Sequence, residues 1–258
     1  MTAVDLHHEA VGDGPPVVVL HGLFGAGRNW ITVARALGQR YRFHLVDLRN
    51  HGASPHTATM DYTAVVTDVR RLVTTLGLAS FTLVGHSMGG KAAMTMALTD
   101  PRGVERVVAV DIAPVTYPDR FNEVITALKA VDLGTIRRRA DADRALAAAI
   151  PDTAVRLFVL QNLLFEQGQP RWRLNLATLE RDMAHILGPL PAPADAHYDG
   201  PTWFIRGALS DRVTDEHLPL IARWFPHHVI ETVAGGGHWP HAEAPAAFLA
   251  AFERALVA

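Results

Sequence analysis

A short apolar run, Phe81-Thr82-Leu83-Val84, passes directly into Gly85-His86-Ser87-Met88-Gly89-Gly90 and then into a helix-like run from Lys91 to Leu98. No other stretch restricts the possible folds so tightly. A G-x-S-x-G pattern between a strand and a helix forces its serine onto a very tight turn, with strained backbone angles and little room for neighbours. Glycines two before and two after the serine let strand and helix approach closely, because they have no Cβ. The turn lifts the Ser87 hydroxyl above the sheet edge, at a helix start where the peptide dipoles favour negative charge. Gly and Ser are common in loops, so the five letters alone are weak. The preceding strand and the extra Gly90 argue against a chance match.

The flanking chain predicts a parallel sheet. Val17-Val18-Val19-Leu20 is a continuous apolar run, as expected of a strand covered on both faces, and it leads into the glycine-rich loop His21–Gly27. Phe43–Val46 is the next strand, followed by the polar turn Asp47–Pro55. Asp61 to Leu76 reads as a helix, and Val107–Val110 as another buried strand ending at Asp111. Residues 2–11 fit an edge strand. Strands alternating with helices imply right-handed crossovers and helices on both faces of the sheet. The ligand site of such a sheet lies beyond the carboxyl ends of its strands. His21, Asp47, Ser87 and Asp111 all fall at strand ends and are expected to ring one crevice.

The alternation stops at Pro114. Residues 115–195 read as mostly helical, over Asp119–Val131, Thr135–Ala149, Thr153–Leu164 and Leu176–Ile186, with Pro189–Pro193 as the return linker. Strands return at Thr202–Ile205 and Val229–Val233, with helices at Asp215–Phe225 and from Pro245 onward. The expected architecture is an α/β core of residues 1–114 and 196–258, with a helical cap of residues 115–195 over the crevice.

Composition narrows the function classes. With 258 residues, 49% of them hydrophobic and 19% charged, the chain can bury a sizeable core. Its net charge of -2 shows no basic stripe, which argues against a nucleic-acid partner. The absence of cysteine excludes disulfides, thiolate metal sites and a cysteine nucleophile. The first residues lack a basic region followed by a long apolar run, so no signal peptide is expected. No apolar stretch approaches the roughly 20 residues needed to span a bilayer. A soluble, cytoplasmic protein is the expectation.

A serine hydroxyl is a poor nucleophile until a base takes its proton, and histidine is the usual base near neutral pH. Of the 14 histidines, His238 is best placed. It follows Gly235-Gly236-Gly237, just after the last strand, where a flexible loop can swing it over the serine turn. His7, His8, His56, His185, His197, His217, His227 and His228 are read as surface or satisfied core residues. The imidazole must itself be oriented by a carboxylate, and two are offered. Asp211 follows the strand after the insertion, and Asp111 ends the strand after the nucleophile's helix. Spacing does not decide between them. Acyl transfer also needs donors for the developing oxyanion. The backbone N–H of Met88 is one candidate, and that of Leu23 in the loop after the Val17 strand is the other. His238 and His241 are three apart, but no acidic pair completes a zinc pattern, so metal binding is set aside. The Gly22–Gly27 loop lacks either phosphate-binding spacing, and no cofactor is expected. Asp47, Arg49 and His51 read as an ion-paired turn bracing the crevice.

Six segments together carry a family resemblance: His21-Gly22-Leu23-Phe24-Gly25, Asp47–Pro55, Gly85–Lys91, Asp111–Val115, Trp172–Asn175 and Gly237–His241. The chain resembles the α/β-hydrolase superfamily, and more narrowly the bacterial YbfF-type esterases and their mitochondrial abhydrolase-domain relatives. The resemblance covers almost the whole chain. It implies a cofactor-free serine esterase or thioesterase acting on small-molecule acyl esters. Relatives of that type lack an acid where Asp211 stands and use the one matching Asp111. This sequence has both, and the resemblance leans towards Asp111.

Other readings share the scaffold. A carbon–carbon bond hydrolase or a perhydrolase would use the same residues, since fold alone does not fix the reaction. Epoxide hydrolases and haloalkane dehalogenases are disfavoured, because they carry aspartate where Ser87 stands. A non-catalytic small-molecule receptor would not need Ser87, His238 and an acid intact. A structural interaction module finds support only in the histidine count and Arg137-Arg138-Arg139, a run that more often marks a solvated helix face. Leu157, Phe158, Leu160, Leu164, Phe165 and Trp172 are candidates for an apolar acyl pocket, although helical spacing favours core packing for most. Nothing in the sequence bears on oligomeric state.

Overall fold

The apolar runs form the centre of a seven-stranded sheet in a computed structural model of the chain, which describes residues 2–257. In chain order the first elements are β1 (His8–Val11), β2 (Pro16–Leu20), α1 (Ile31–Leu37), β3 (Arg42–Val46), α2 (Tyr62–Thr75), β4 (Phe81–His86), α3 (Met88–Thr99) and β5 (Val104–Val110). An insertion follows, with α4 (Asn122–Ala130), α5 (Arg139–Leu146), α6 (Thr153–Leu160), β6 (Leu163–Glu166), β7 (Gln169–Trp172), α7 (Leu176–Arg181) and α8 (Met183–Leu187). The chain then returns through β8 (Thr202–Gly207), α9 (Leu218–Trp224), β9 (His228–Val233), α10 (Pro240–Glu243) and α11 (Pro245–Val257). The sheet order is β1-β3-β2-β4-β5-β8-β9, and only the β1–β3 pair is antiparallel.

Strand side chains alternate between two apolar layers, as the period of two requires. Val17, Val19, Val84 and Val108 pack with Trp30, Val33 and Leu37 and with Phe248 and Phe252 of α11. Val18, Leu20, Leu83 and Val107 pack on the opposite face with Val69 and Val73 of α2, Ala93 and Met94 of α3, and Ile221 and Phe225. Covering both faces explains why the strands read as continuous apolar runs.

Between β5 and β8 the chain adds no strand to this sheet. Leu128, Ile136, Val159, Leu179 and Met183 join the same apolar cluster as Met88 and Ala93, so the insertion shares the core of the α3 face. Its elements are shorter than the sequence suggests. The helix expected over Thr153–Leu164 ends at Leu160, and Leu163–Trp172 forms a hairpin instead. Its two-residue turn is Gln167-Gly168, both with positive φ (49° and 79°), the geometry that primed hairpin turns require. The helix expected over Thr135–Ala149 starts only at Arg139, because the Asp141 carboxylate accepts from the backbone N–H groups of Arg137 and Arg138. The expected Leu176–Ile186 helix breaks at Asp182, whose carboxylate accepts from Met60 N at 2.7 Å.

One buried ion pair links the fold to the sheet's upper edge. Arg49 donates to Asp68 of α2 through Nε (2.6 Å) and Nη2 (2.8 Å), and both side chains are buried. Arg49 lies in the turn after β3, and His51 of that turn accepts from Phe24 N at 3.3 Å. The pair therefore braces the loop after β2 through the turn after β3. Removing one partner leaves the other as an uncompensated buried charge, which costs far more than the intact pair contributes. Asp68→Asn is expected to lower unfolding stability by about 3–5 kcal/mol in urea titrations. A loss below about 1 kcal/mol, the range of an exposed pair, would contradict this role.

Candidate active site

The carboxyl ends of β4, β5 and β8 lie side by side, and each delivers a polar group to the same place. β4 ends at His86, and Ser87 follows with φ 51° and ψ -117° before α3 begins. The close approach is real at Gly85, where a Cβ would stand 2.1 Å from the Gly89 oxygen. β5 ends at Val110, and Asp111 follows, also with positive φ (50°). His238 arrives from the loop after β9.

These three side chains form one hydrogen-bonded line. His238 Nδ1 is 2.8 Å from Asp111 Oδ2, and His238 Nε2 is 3.1 Å from Ser87 Oγ. A carboxylate only accepts, so Nδ1 carries the proton and Nε2 presents its lone pair to the serine hydroxyl. Asp111 also accepts from Gly207 N (3.0 Å) and Ser210 Oγ (2.5 Å). Its side chain has 0% exposure, so these three donors replace the water that a buried carboxylate lacks. Asp211 is placed differently. Its side chain is 62% exposed and pairs with Arg120 (3.1 Å) and Arg212 (3.6 Å). Desolvation raises its pKa, but the Arg120 hydrogen bond and the charges of Arg212 and Arg120 outweigh that and leave it lowered.

Two cavities open on Ser87. The larger, about 200 Å³, is lined by Leu23, Phe121, Val124, Val155, Phe158 and Trp239 beside Ser87 and His238. The smaller, about 20 Å³, is lined by Leu23, Met88, Lys91, Tyr117 and others. Leu23 and Met88 thus both border the space next to the serine. Of the insertion residues singled out for an apolar pocket, Phe158 reaches the larger cavity and packs on Trp239 at 5.3 Å between ring centroids. Leu157 and Phe165 are exposed, Leu160 is in the core, and Trp172 donates to Leu128 O at 3.0 Å.

Of the four strand-end residues expected to ring one crevice, Ser87 and Asp111 do so. His21 is buried, with Nδ1 against Gly22 O (2.8 Å) and Nε2 accepting from Leu48 N (3.0 Å). Asp47 faces a separate polar hollow with His7 and Arg173 and caps Gly27 N and Ala53 N. The bracing turn exists, but Arg49 pairs with Asp68 rather than Asp47. Burial, reinforced by the neighbouring His21, pushes His51 down to about 3.

Several residues around Ser87, His238 and Asp111 carry no signature in the sequence. Ser210 and Gly207 hold the Asp111 carboxylate, and Ser210 is the immediate neighbour of the more conspicuous Asp211. Arg212 lies over the rings of Tyr117 (5.3 Å) and Phe121 (5.9 Å) at the cavity wall. Lys91, buried on α3, donates to Leu187 O at 2.9 Å and to Gly188 O, tying the helix that follows Ser87 to the insertion. Burial pushes its pKa down to about 7. Among the described residues no group of three or more His, Cys, Asp or Glu side chains is arranged to hold a metal ion. No helix among them is long and apolar enough to cross a membrane.

The comparisons agree with this architecture. The family model for the alpha/beta hydrolase fold matches residues 15–245. The chain is 41% identical over 246 residues to the sn-1-specific diacylglycerol lipase of Xenopus laevis, covering 92% of this chain and 78% of that protein. It is 35% identical over 242 residues to esterase YbfF of Escherichia coli, covering 93% of this chain and 92% of that one. Among solved structures, a marine microorganism esterase superposes with a TM-score of 0.93 at 33% identity, over 98% of this chain and 100% of that one. With the family model spanning most of its length, the chain belongs to the alpha/beta hydrolase family.

Proposed function

We propose that this chain is a serine hydrolase that cleaves carboxylic esters, or thioesters, through an acyl-enzyme intermediate. The observation that carries the reading is the continuous line from Asp111 through His238 to Ser87 Oγ, ending at an apolar cavity. Relatives named esterase and lipase support ester hydrolysis in general.

In this reading Ser87 Oγ attacks the acyl carbon while His238 Nε2 takes its proton. The tetrahedral oxyanion accepts from the backbone N–H groups of Leu23 and Met88. The imidazolium is stabilised by Asp111, which keeps the tautomer able to accept from serine. Collapse breaks the ester bond, and the departing alkoxide or thiolate takes the proton from His238. Water, deprotonated by the same nitrogen, then attacks the acyl-enzyme and releases the acid and free Ser87. Asp111 suits the orienting role because its buried carboxylate meets the ring, whereas the Asp211 carboxylate is solvent-exposed and occupied by two arginines. Residues 115–195 act as a cap, contributing Phe121, Val124, Val155 and Phe158 to the substrate cavity.

Hydrolysis of p-nitrophenyl esters tests the reading, with Ser87→Ala as the inactive control. Each methylene buried in the apolar cavity is worth about 0.8 kcal/mol, so kcat/KM should rise about fourfold per carbon until the cavity fills. The rise is expected in one of two series, acyl chains on p-nitrophenol or alcohols on acetate. A flat response in both would contradict an apolar substrate cavity. A parallel series of acyl thioesters reports whether the leaving atom matters.

The two aspartates separate by substitution. Asp111→Asn removes the carboxylate that fixes the His238 tautomer and should lower kcat by on the order of 10³–10⁴-fold, while Asp211→Asn stays within a few-fold of the parent. Circular dichroism checks that both remain folded. The reverse ranking would move the acid to Asp211.

A further inference from the structure

His86 ends β4 immediately before Ser87 and is buried. Its Nε2 lies 2.7 Å from the main-chain oxygen of His238. A carbonyl oxygen only accepts, so His86 donates, and its ring is the Nε2–H tautomer. The acyl-transfer mechanism makes no use of this bond.

The bond matters because of what it restrains. His238 follows three consecutive glycines, the segment that loses most backbone freedom on becoming ordered. Leu209 N donates to Gly236 O at 2.8 Å, and the Glu243 carboxylate accepts from Gly237 N and from Trp239 N. These bonds fix the flanks of the loop. The bond from His86 acts on the carbonyl of His238 itself, and it comes from the residue covalently joined to the nucleophile. The dipeptide His86-Ser87 therefore holds His238 twice, at the main chain through His86 and at the ring through Ser87 Oγ.

The His86 ring has little freedom to turn away. A Cβ on Gly22 would stand 2.8 Å from its Nδ1, so the loop after β2 is pressed against it. Its centroid also lies 4.9 Å from the His238 ring and 5.2 Å from the His241 ring. His241 in turn stacks on Trp30 at 4.6 Å. Burial, followed by the charges His238 and His241 carry when protonated, holds His86 well below the ordinary histidine pKa. It stays neutral while His238 becomes an imidazolium beside it, so no second cation opposes the first.

We propose that His86 is a positioning residue, whose Nε2–H holds the His238 carbonyl and so sets the angle at which the imidazole meets Ser87 and Asp111. The proposal rests on the acyl-enzyme reading above. It predicts a split that a general packing role would not give. His86→Leu removes the donor, and kcat for a p-nitrophenyl ester should fall about 10- to 100-fold, as for a misplaced catalytic group, with KM little changed. His86→Gln carries an amide N–H that can reach the same oxygen and should restore most of the lost rate. Unchanged kcat in His86→Leu would overturn the proposal. So would equal losses in both folded variants, because shape rather than the donor would then be responsible.

The unsubstituted protein supplies a test that does not depend on variant folding. A long-range proton–nitrogen correlation spectrum of the histidine rings, with the His86 signals assigned by through-bond correlation to its own backbone in uniformly labelled parent protein, should show the neutral Nε2–H form across neutral pH. A proton on Nδ1 would overturn the proposal. If the parent chain hydrolyses no ester, the reaction class is at fault, and the tautomer still decides the role of His86.

Discussion

The strand–helix turn at Ser87 has no space for another side chain, and the surrounding groups are arranged by that fact. A Cβ on Gly89 would stand 2.3 Å from the Leu20 oxygen, so the helix start lies directly against the end of β2. Ser87 pays for this closeness with a backbone conformation of the kind that costs about 1–3 kcal/mol for a residue with a Cβ. It is held there by its N–H to Val110 O (3.0 Å) and by Lys91 N to its own carbonyl (3.1 Å). Since β4 lies between β2 and β5, both neighbours end beside the serine. One supplies the Leu23 loop and the other Asp111.

A second strained residue completes the arrangement. Asp111 also has positive φ, and its carboxylate is kept in place by donors from the end of β8. On the proposed mechanism, the loop after β8 serves the acid without supplying it. Ser210 and Gly207 solvate Asp111, while Asp211, one residue further, turns outward to Arg120 of the insertion. That outward pair joins core and insertion near the cavity wall. Lys91 joins them beside the smaller cavity, with its Nζ over the rings of Tyr117 (5.2 Å) and Tyr62 (6.0 Å).

Much of the core was legible in the sequence because two independent signals coincided there. Apolar runs of strand length alternated with helical segments, and the glycine pattern around Ser87 allows few alternatives. The parallel pairing of β2 to β5, β8 and β9 follows from that alternation. The insertion was less legible. Leu163-Leu164 reads as the end of an apolar helix, and only Gln167-Gly168, which is not a strong turn signature, marks the hairpin. Helix lengths there depend on Asp141 and Asp182, whose carboxylates cap backbone N–H groups, one just outside its own helix and one far along the chain. At the site, a lone serine turn and a histidine after a glycine loop can be found by type and place. The donors around Asp111 cannot, since Ser210 and Gly207 acquire meaning only when β5 and β8 are neighbours. Arg49 shows the same limit, because its partner Asp68 sits on a helix rather than in its own turn.

The central claim is that Ser87 forms a covalent bond to the acyl group. A fluorophosphonate reacts with an activated serine and leaves a stable adduct, so peptide mass spectrometry of the treated protein reads the nucleophile directly. The adduct should fall on Ser87, with loss of esterase activity in proportion to labelling. Labelling at another residue, or full activity in protein whose Ser87 carries the adduct, would contradict the account.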